Sequence, residues 1–83
     1  MTKNLNRFVG KRVDVLSNYQ GNLCNVRSGA VETIVGTHDS LVINFTDCRV
    51  EEIKENVRKI EYMIGLIKVT FEDGSTDCLD FYT

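Results

Sequence analysis

Apolar and polar residues alternate most regularly near the end of the chain, on both sides of residues 72–74. Alternation with a period of two is typical of a half-buried strand, so we predict a hairpin with strands over 66–71 and 75–82. A three-residue loop with Gly74 in the left-handed conformation gives a type I turn plus bulge. The apolar residues that this loop length places on one face are Ile67, Val69, Phe71, Leu79 and Phe81.

A second hairpin is predicted from residues 30–35 and 41–46, joined by a loop over 36–40. The odd length of this loop puts the apolar residues of both strands on the same side of the sheet. The residues predicted to share that side are Val31, Thr33, Val35, Leu41, Ile43 and Phe45.

The N-terminal part predicts a short helix of about two turns, because its apolar residues fall at i, i+3 and i+4. These residues are Leu5, Phe8 and Val9. After the helix, residues 12–16 alternate and predict a first strand. A turn over 18–22 leads to a second strand over 23–27, which ends at the break 28–29.

Residues 48–64 fit two interpretations. Their apolar residues are spaced three and four apart, which favours an amphipathic helix with Asp47 as N-cap and Gly65 just past the end. The competing interpretation breaks the segment at residues 55–56 and lets 58–64 form a strand. We favour the helix. The residues with helical spacing are Val50, Ile53, Val57, Ile60 and Ile64.

These elements predict one α+β, β-rich domain covering residues 1–83. Its architecture is a strongly twisted antiparallel sheet or small barrel of five to six strands, with a short N-terminal helix and one amphipathic helix. A chain of 83 residues suits a single domain with a thin core. No apolar run approaches the roughly 20 residues that span a membrane. We therefore expect a cytoplasmic protein without membrane contact, in which Cys24, Cys48 and Cys78 are free thiols.

Charge is distributed unevenly along the chain. The net charge is −2, but residues 1–16 carry four cations and one carboxylate, whereas 65–83 carry one cation and four carboxylates. The basic residues that could face an anionic partner are Lys3, Arg7, Lys11, Arg12 and Arg27. Tyrosine and methionine are enriched at interfaces, so Tyr62, Met63 and Tyr82 are candidate contact residues for a protein partner.

No constellation of residues indicates catalysis or metal binding. His38 and Asp39 are adjacent, but no serine or cysteine is placed by the sequence to act as their nucleophile. The three cysteines and His38 lack the close Cys-x₂₋₄-Cys spacing of zinc sites. We therefore expect no catalytic residues, no metal and no cofactor, and we predict that the protein is not an enzyme.

Residues 7–13, Arg-Phe-Val-Gly-Lys-Arg-Val, resemble the junction of helix and first strand in the Sm-like small β-barrel family, whose barrel is of the SH3 type. Segments 29–34, 41–43 and 47–48 resemble the first conserved block of that family. The resemblance implies a small, strongly bent sheet. It does not extend to the RNA-binding residues: Ser40 occupies the expected asparagine position, and Ile64-Gly65 occupies that of an arginine-glycine pair.

We expect a non-enzymatic binding or regulatory module that acts through protein–protein contacts as a homo-oligomer. A thin core gains stability from association, and no catalytic constellation competes with this interpretation. The alternatives are a nucleic-acid-binding Sm-like small barrel and a small-ligand-binding decoy of the phage or mobile-element type. An acidic isoelectric point near 5.3 disfavours binding driven by phosphate contacts.

Overall fold

The computed structural model describes residues 4–46, 50–53 and 56–83, which form a curled, antiparallel sheet preceded by one 3₁₀ turn, Asn6–Phe8. The strand order is β4-β3-β2-β1-β7-β6-β5, so the first and last strands pair at the centre, and β4 and β5 lie at the two edges. The strands are β1 (Arg12–Tyr19), β2 (Asn22–Gly36), β3 (Leu41–Phe45), β4 (Val50–Ile53), β5 (Val57–Tyr62), β6 (Leu66–Phe71) and β7 (Thr76–Tyr82).

The hairpin of β1 and β2 is longer than predicted. Its turn consists of Gln20 and Gly21, whose φ angles of 53° and 83° are typical of a two-residue type I′ turn. The predicted break at 28–29 is wrong, because Ser28 pairs with Asp14 and Gly29 pairs with Val13 inside a continuous strand of 15 residues.

Strand β2 serves both halves of the sheet, and it is irregular at two places. In its pairing with β1, the register shifts between Val15 and Leu16 of β1. In its pairing with β3, the register shifts between Val31 and Thr33 of β2. An extra residue in one strand bends that strand and increases its twist. The long strand can therefore curl, and the sheet forms a half-barrel with one concave face.

The core fills this concave face. Alternate residues of the central strands point into it, as Val13 and Val15 do, with no exposed surface. The 3₁₀ turn covers one end, where Phe8 stacks on Phe81 with ring centroids 4.0 Å apart. The buried apolar residues are Leu5, Phe8, Val13, Val15, Val31, Leu41, Ile43, Phe45, Ile67, Val69, Leu79 and Phe81.

The last hairpin confirms the prediction from the sequence. Phe71 and Ser75 close the loop through a hydrogen bond from the Phe71 amide to the Ser75 carbonyl at 2.9 Å. Gly74 has a φ of 89°, in the left-handed region that favours glycine. Ile67 and Leu79 are fully buried, so the predicted apolar face is the concave face.

The hairpin of β2 and β3 confirms the pairing but corrects the face. After the bulge, Ile34 is half-buried, whereas Thr33 and Val35 lie on the exposed side, and Val35 is 52% exposed. The prediction for Thr33 and Val35 was wrong because a regular strand was assumed. The loop is also shorter by one residue, closed by a hydrogen bond from the Thr37 amide to the Ser40 carbonyl at 2.8 Å.

The prediction of an amphipathic helix over 48–64 is wrong for those residues of the segment that the structure describes. Residues 50–53 and 57–62 are the two edge strands, so the structure has more strands than the five to six predicted. Asn56 precedes β5 with a φ of 58°, which agrees with the competing interpretation of a break followed by a strand. Residues 47–49 and 54–55 lie outside the described residues.

The predicted N-terminal helix is a single 3₁₀ turn. Leu5 and Phe8 are buried as expected, but Val9 is 48% exposed and leaves the predicted apolar stripe. Gly10 follows with a φ of 85°, and its amide donates to the Val31 carbonyl at 2.9 Å. The chain therefore turns directly into β1, without a second helical turn.

Candidate functional site

A groove of about 610 Å³ lies between the turns of two hairpins. Asn18 and Thr76 form the last pair of β1 with β7, and beyond that pair the two turns continue side by side. The gap between the turns is the groove. Its lining includes Asn18, Tyr19, Gln20, Lys68, Ser75 and Thr76.

Lys68 is the cation of this groove. It is half-buried in β6, opposite Cys78 of β7 and Glu61 of β5. The Glu61 carboxylate lies 3.6 Å from the ammonium of Lys59. Within the described part of the chain, the Lys68 ammonium has no ion pair or hydrogen bond, so its charge is available to a bound group.

Asp73 lines the same groove, but its carboxylate is already engaged. One oxygen accepts hydrogen bonds from the Ser75 hydroxyl at 2.5 Å and from the Ser75 amide at 2.9 Å. These bonds hold the pKa of the Asp73 carboxyl below its ordinary value, the hydroxyl bond contributing most. One carboxylate oxygen is therefore held within its own turn, and the group keeps its negative charge at the groove.

The tip of the β1–β2 hairpin carries exposed apolar side chains. Tyr19, Leu23 and Val26 are 55%, 66% and 56% exposed. The Gln20 amide nitrogen lies 3.4 Å from the Tyr19 hydroxyl. Leu23 lies opposite Asn18, so its side chain occupies the convex face of the sheet. This tip offers an aromatic ring and two aliphatic side chains to a partner or ligand.

Three polar side chains form a cluster on the convex face, on three neighbouring strands. The Asp14 carboxylate accepts a hydrogen bond from the Ser28 hydroxyl at 2.7 Å and one from the Tyr82 hydroxyl at 2.9 Å. Asp80 lies directly opposite Asp14 in the sheet. The cluster fixes the orientation of Tyr82, which the sequence suggests as a contact residue.

Arg7 and Met63, two of the predicted binding residues, are brought together. The Arg7 guanidinium donates to the Met63 carbonyl at 2.9 Å and to the Ile64 carbonyl at 3.4 Å, and it lies 4.4 Å from the centre of the Phe8 ring. Arg7 therefore holds the β5–β6 turn against the N-terminal turn. Met63 and Ile64 remain exposed there, at 38% and 91%.

The other predicted cations are separated. Lys11 and Arg12 are neighbours at the start of β1, and Arg12 lies opposite Tyr82. Arg27 is distant in the sheet, and its guanidinium lies 4.0 Å from the centre of the Phe45 ring. The structure does not gather Arg7, Arg12 and Arg27 into one patch, and Lys3 lies outside the described residues.

Tyr62 is partly buried between β5 and the loop after β2. Its hydroxyl donates to the Thr37 carbonyl at 2.7 Å, and burial raises the pKa of the phenol above its ordinary value. Its side chain packs against the core instead of forming an exposed contact with Met63. Tyr62 therefore has a structural role in this fold, beside the contact role suggested by the sequence.

His38 and Asp39 lie in the exposed β2–β3 loop, with the His38 Nε2 atom 3.7 Å from an Asp39 oxygen. The Thr37 hydroxyl bonds to Asp39 and Ser40, so these polar groups organise the loop itself. Cys24 is exposed and Cys78 is half-buried; Cys48 lies outside the described residues. Over 4–46, 50–53 and 56–83, no group of three potential metal ligands converges.

The groove was not found from the sequence. Its two turns, at 20–21 and 72–74, are far apart along the chain, and they become neighbours only because β1 pairs with β7. The local signal for each turn was present, since both contain glycine next to polar residues. The sequence pattern did not show that the first strand pairs with the last.

Comparison with protein-family models, with curated proteins and with solved structures gave no match. Among the residues that the structure describes, no helix has the length and apolarity needed to cross a membrane. The likeness to Sm-like small barrels therefore remains a prediction from the sequence, and function has to be inferred from the geometry of the chain.

Proposed function

We propose that the protein is a non-enzymatic binding module that acts through protein–protein contacts and assembles with further copies of itself. The observation that carries this proposal is the position of β5 at the edge of the sheet. Among the described strands it pairs only with β6. A strand with one neighbour presents backbone groups to which another chain can add.

The hydrogen-bond pattern identifies the outward backbone groups of β5. The Met63 amide donates to the Leu66 carbonyl at 2.8 Å, which makes Met63 and Leu66 a hydrogen-bonded pair. Such pairs alternate along an antiparallel ladder. The backbone groups of Glu61 therefore face β6, and those of Ile60 face away from it.

Charge favours a second copy as the added chain. Strand β5 reads Val-Arg-Lys-Ile-Glu-Tyr, and the strand at the opposite edge, β4, reads Val-Glu-Glu-Ile. Opposite charges on neighbouring strands stabilise their pairing. Pairing of β5 with β4 of the next copy is a head-to-tail contact, which generates rings or filaments.

Size exclusion coupled to light scattering tests the proposal. The protein concentration should cover about 5–100 μM, where weak assemblies form. We expect an oligomer, and we expect the double variant Arg58→Glu, Lys59→Glu to shift the protein toward monomer. The double variant Lys11→Glu, Arg12→Glu is the matched control, because it reverses two neighbouring cations at the start of a central strand, away from both edges. A wild-type protein that is monomeric over the whole range contradicts self-assembly.

A further inference from the structure

Strand β2 has a third open edge of the sheet along its first half. This half pairs with β1, whereas pairing with β3 starts only at Val31. The Ala30 carbonyl accepts a hydrogen bond from the Thr46 amide at 3.1 Å, next to the start of that pairing. Among the described residues, no strand lies beside 22–26 on the side away from β1. This open side, the β2 edge, can accept another chain.

The turn before β2 determines which backbone groups face the β2 edge. Tyr19 and Asn22 flank the two-residue turn, so they form a hydrogen-bonded pair. Hydrogen-bonded and non-hydrogen-bonded pairs alternate along an antiparallel ladder. The amide and carbonyl groups of Leu23 and Asn25 therefore point away from β1, and those of Cys24 point toward it.

The β2 edge lacks the charges that usually protect an open strand. Residues 15–26 are the longest stretch of the chain without an acidic or basic residue. Charged side chains on an edge strand discourage pairing with other chains, whereas the cores of interfaces are depleted of charge. Leu23 and Val26 are more than half exposed and add apolar surface beside the open backbone. The segment therefore has the composition of an interface.

Charge favours a second copy of the same segment as the partner of the β2 edge. Strand β4 contains two glutamates, and β5 contains Arg58, Lys59 and Glu61. Either of these strands would place charged side chains against uncharged ones, where they gain no partner. The same segment of a second copy brings no charge. Two identical strands that pair antiparallel are related by a two-fold axis, which gives a closed dimer.

We infer that two copies pair antiparallel through residues 22–26 of β2, with the two-fold axis at Cys24. In this register, Leu23 of each copy forms a hydrogen-bonded pair with Asn25 of the other copy, so the outward backbone groups of both residues gain partners. The two Leu23 side chains are diagonal neighbours on the convex face, within reach of each other. This dimer goes beyond the proposed pairing of β4 with β5, because it uses a different edge.

Cross-linking through Cys24 tests the register. The two Cys24 residues are directly opposed in a non-hydrogen-bonded pair, where Cα atoms lie about 4.5 Å apart, within the range of a disulfide. In a Cys48→Ser, Cys78→Ser background, diamide should convert the protein to a disulfide-linked dimer. The two thiols lose two electrons and two protons to the diamide as the S–S bond forms.

A second thiol position is the matched control for this cross-link. Cys24→Ser, Asn22→Cys in the same background moves the thiol to another exposed residue on the same face of the same strand. The two introduced thiols would be offset by about 13 Å along the strands, too far for a disulfide. The control should form little dimer. Equally fast cross-linking at both positions overturns the inference.

Light scattering separates this dimer from the proposed contact of β4 with β5. In the Arg58→Glu, Lys59→Glu background, a dimer should persist at about 100 μM protein. Adding Leu23→Lys should weaken dimerisation at least about tenfold, because it removes the apolar contact and brings two ammonium groups close together. Gln20→Lys adds the same charge at the turn, farther from its copy than the screening length of about 10 Å, and should leave the dimer intact.

The outcomes of this experiment are distinct for the two interfaces. A monomer in the Arg58→Glu, Lys59→Glu background, or equal losses with Leu23→Lys and Gln20→Lys, overturns pairing at the β2 edge. An assembly that is the same size with and without Arg58→Glu, Lys59→Glu contradicts the contact of β4 with β5 instead. Either interface can therefore fail alone.

Discussion

The Tyr62 hydroxyl donates a hydrogen bond of 2.7 Å to the Thr37 carbonyl. Tyr62 ends the edge strand β5, and Thr37 begins the loop after β2, which lies four strands away in the sheet. The bond therefore joins two parts of the sheet that do not pair, and it fixes how far the sheet curls. A Cβ atom at Gly36 would overlap the Tyr62 hydroxyl, so the small residue beside Thr37 is needed for this contact.

Tyr62→Phe should lower the free energy of unfolding by about 1 kcal/mol, because the Thr37 carbonyl loses a partly buried donor. Urea denaturation at neutral pH measures the change. Tyr19→Phe is the matched control, since Tyr19 is 55% exposed and its hydroxyl lies 3.4 Å from the Gln20 amide nitrogen, so it should contribute less. Equal effects of the two substitutions would contradict the role assigned to Tyr62.

Burial raises the pKa of Tyr62, which predicts a specific loss of stability in alkaline solution. The folded state binds the phenol proton more tightly than the unfolded state, whose tyrosine pKa is about 10. The stabilisation is complete below that pH and is lost as the pH rises through the folded-state pKa. We expect the advantage of wild type over Tyr62→Phe to shrink as the pH rises above about 10. A constant difference over this range would refute the prediction.

Gly29→Ala should destabilise the protein by about 1–3 kcal/mol through overpacking. A Cβ atom there would lie 2.7 Å from Cδ1 of the Phe45 ring, and the Arg27 guanidinium lies against that ring. The ring therefore has little room to move. Gly65→Ala is the control, because its nearest contact would be 4.0 Å and its φ is not left-handed. Thermal unfolding followed by circular dichroism compares the two.

The sequence predicted elements correctly where strands are regular. The β6–β7 hairpin was predicted with its loop length and its buried face, because alternation and Gly74 agree. The failures coincide with bulges. In β2 a bulge places Val31 and Ile34 on the same face. In a regular strand, residues three positions apart lie on opposite faces.

The same effect explains the wrong helix over 48–64. A register shift in β5 places Val57 and Ile60 against the core together, opposite Phe71 and Val69. Apolar residues three apart are the signal of a helix when the strand is assumed regular. The bulge therefore imitates helical spacing, and the left-handed Asn56 before β5 was the better local indication.

The candidate site depends on contacts that no local pattern records. Tyr19 and Gln20 were recognisable as part of a turn, and so were Asp73 and Gly74. Their proximity follows from the pairing of β1 with β7, which joins the two ends of the chain. The uneven charge along the chain indicated no groove and did not single out Lys68.

The N-terminal turn should be an integral part of the fold, because Phe8 closes the end of the core. Its side chain has no exposed surface and stacks on Phe81 at 4.0 Å, and the Arg7 guanidinium covers its other side at 4.4 Å. Phe8→Ala should cost about 3–5 kcal/mol. The control Val9→Ala, at a residue 48% exposed, should change stability by less than about 0.5 kcal/mol.

Urea denaturation of both N-terminal variants measures this difference. A domain of 83 residues is stable by only about 5–15 kcal/mol, so Phe8→Ala can lie near the limit of folding. Phe8→Leu keeps most of the apolar volume of the side chain. This variant should fold, so its free energy of unfolding can be measured. It should retain the fold but lose part of the stability, because the stacking on Phe81 is removed. If Phe8→Leu and Val9→Ala are equally stable, the turn only rests on the sheet and does not close its core.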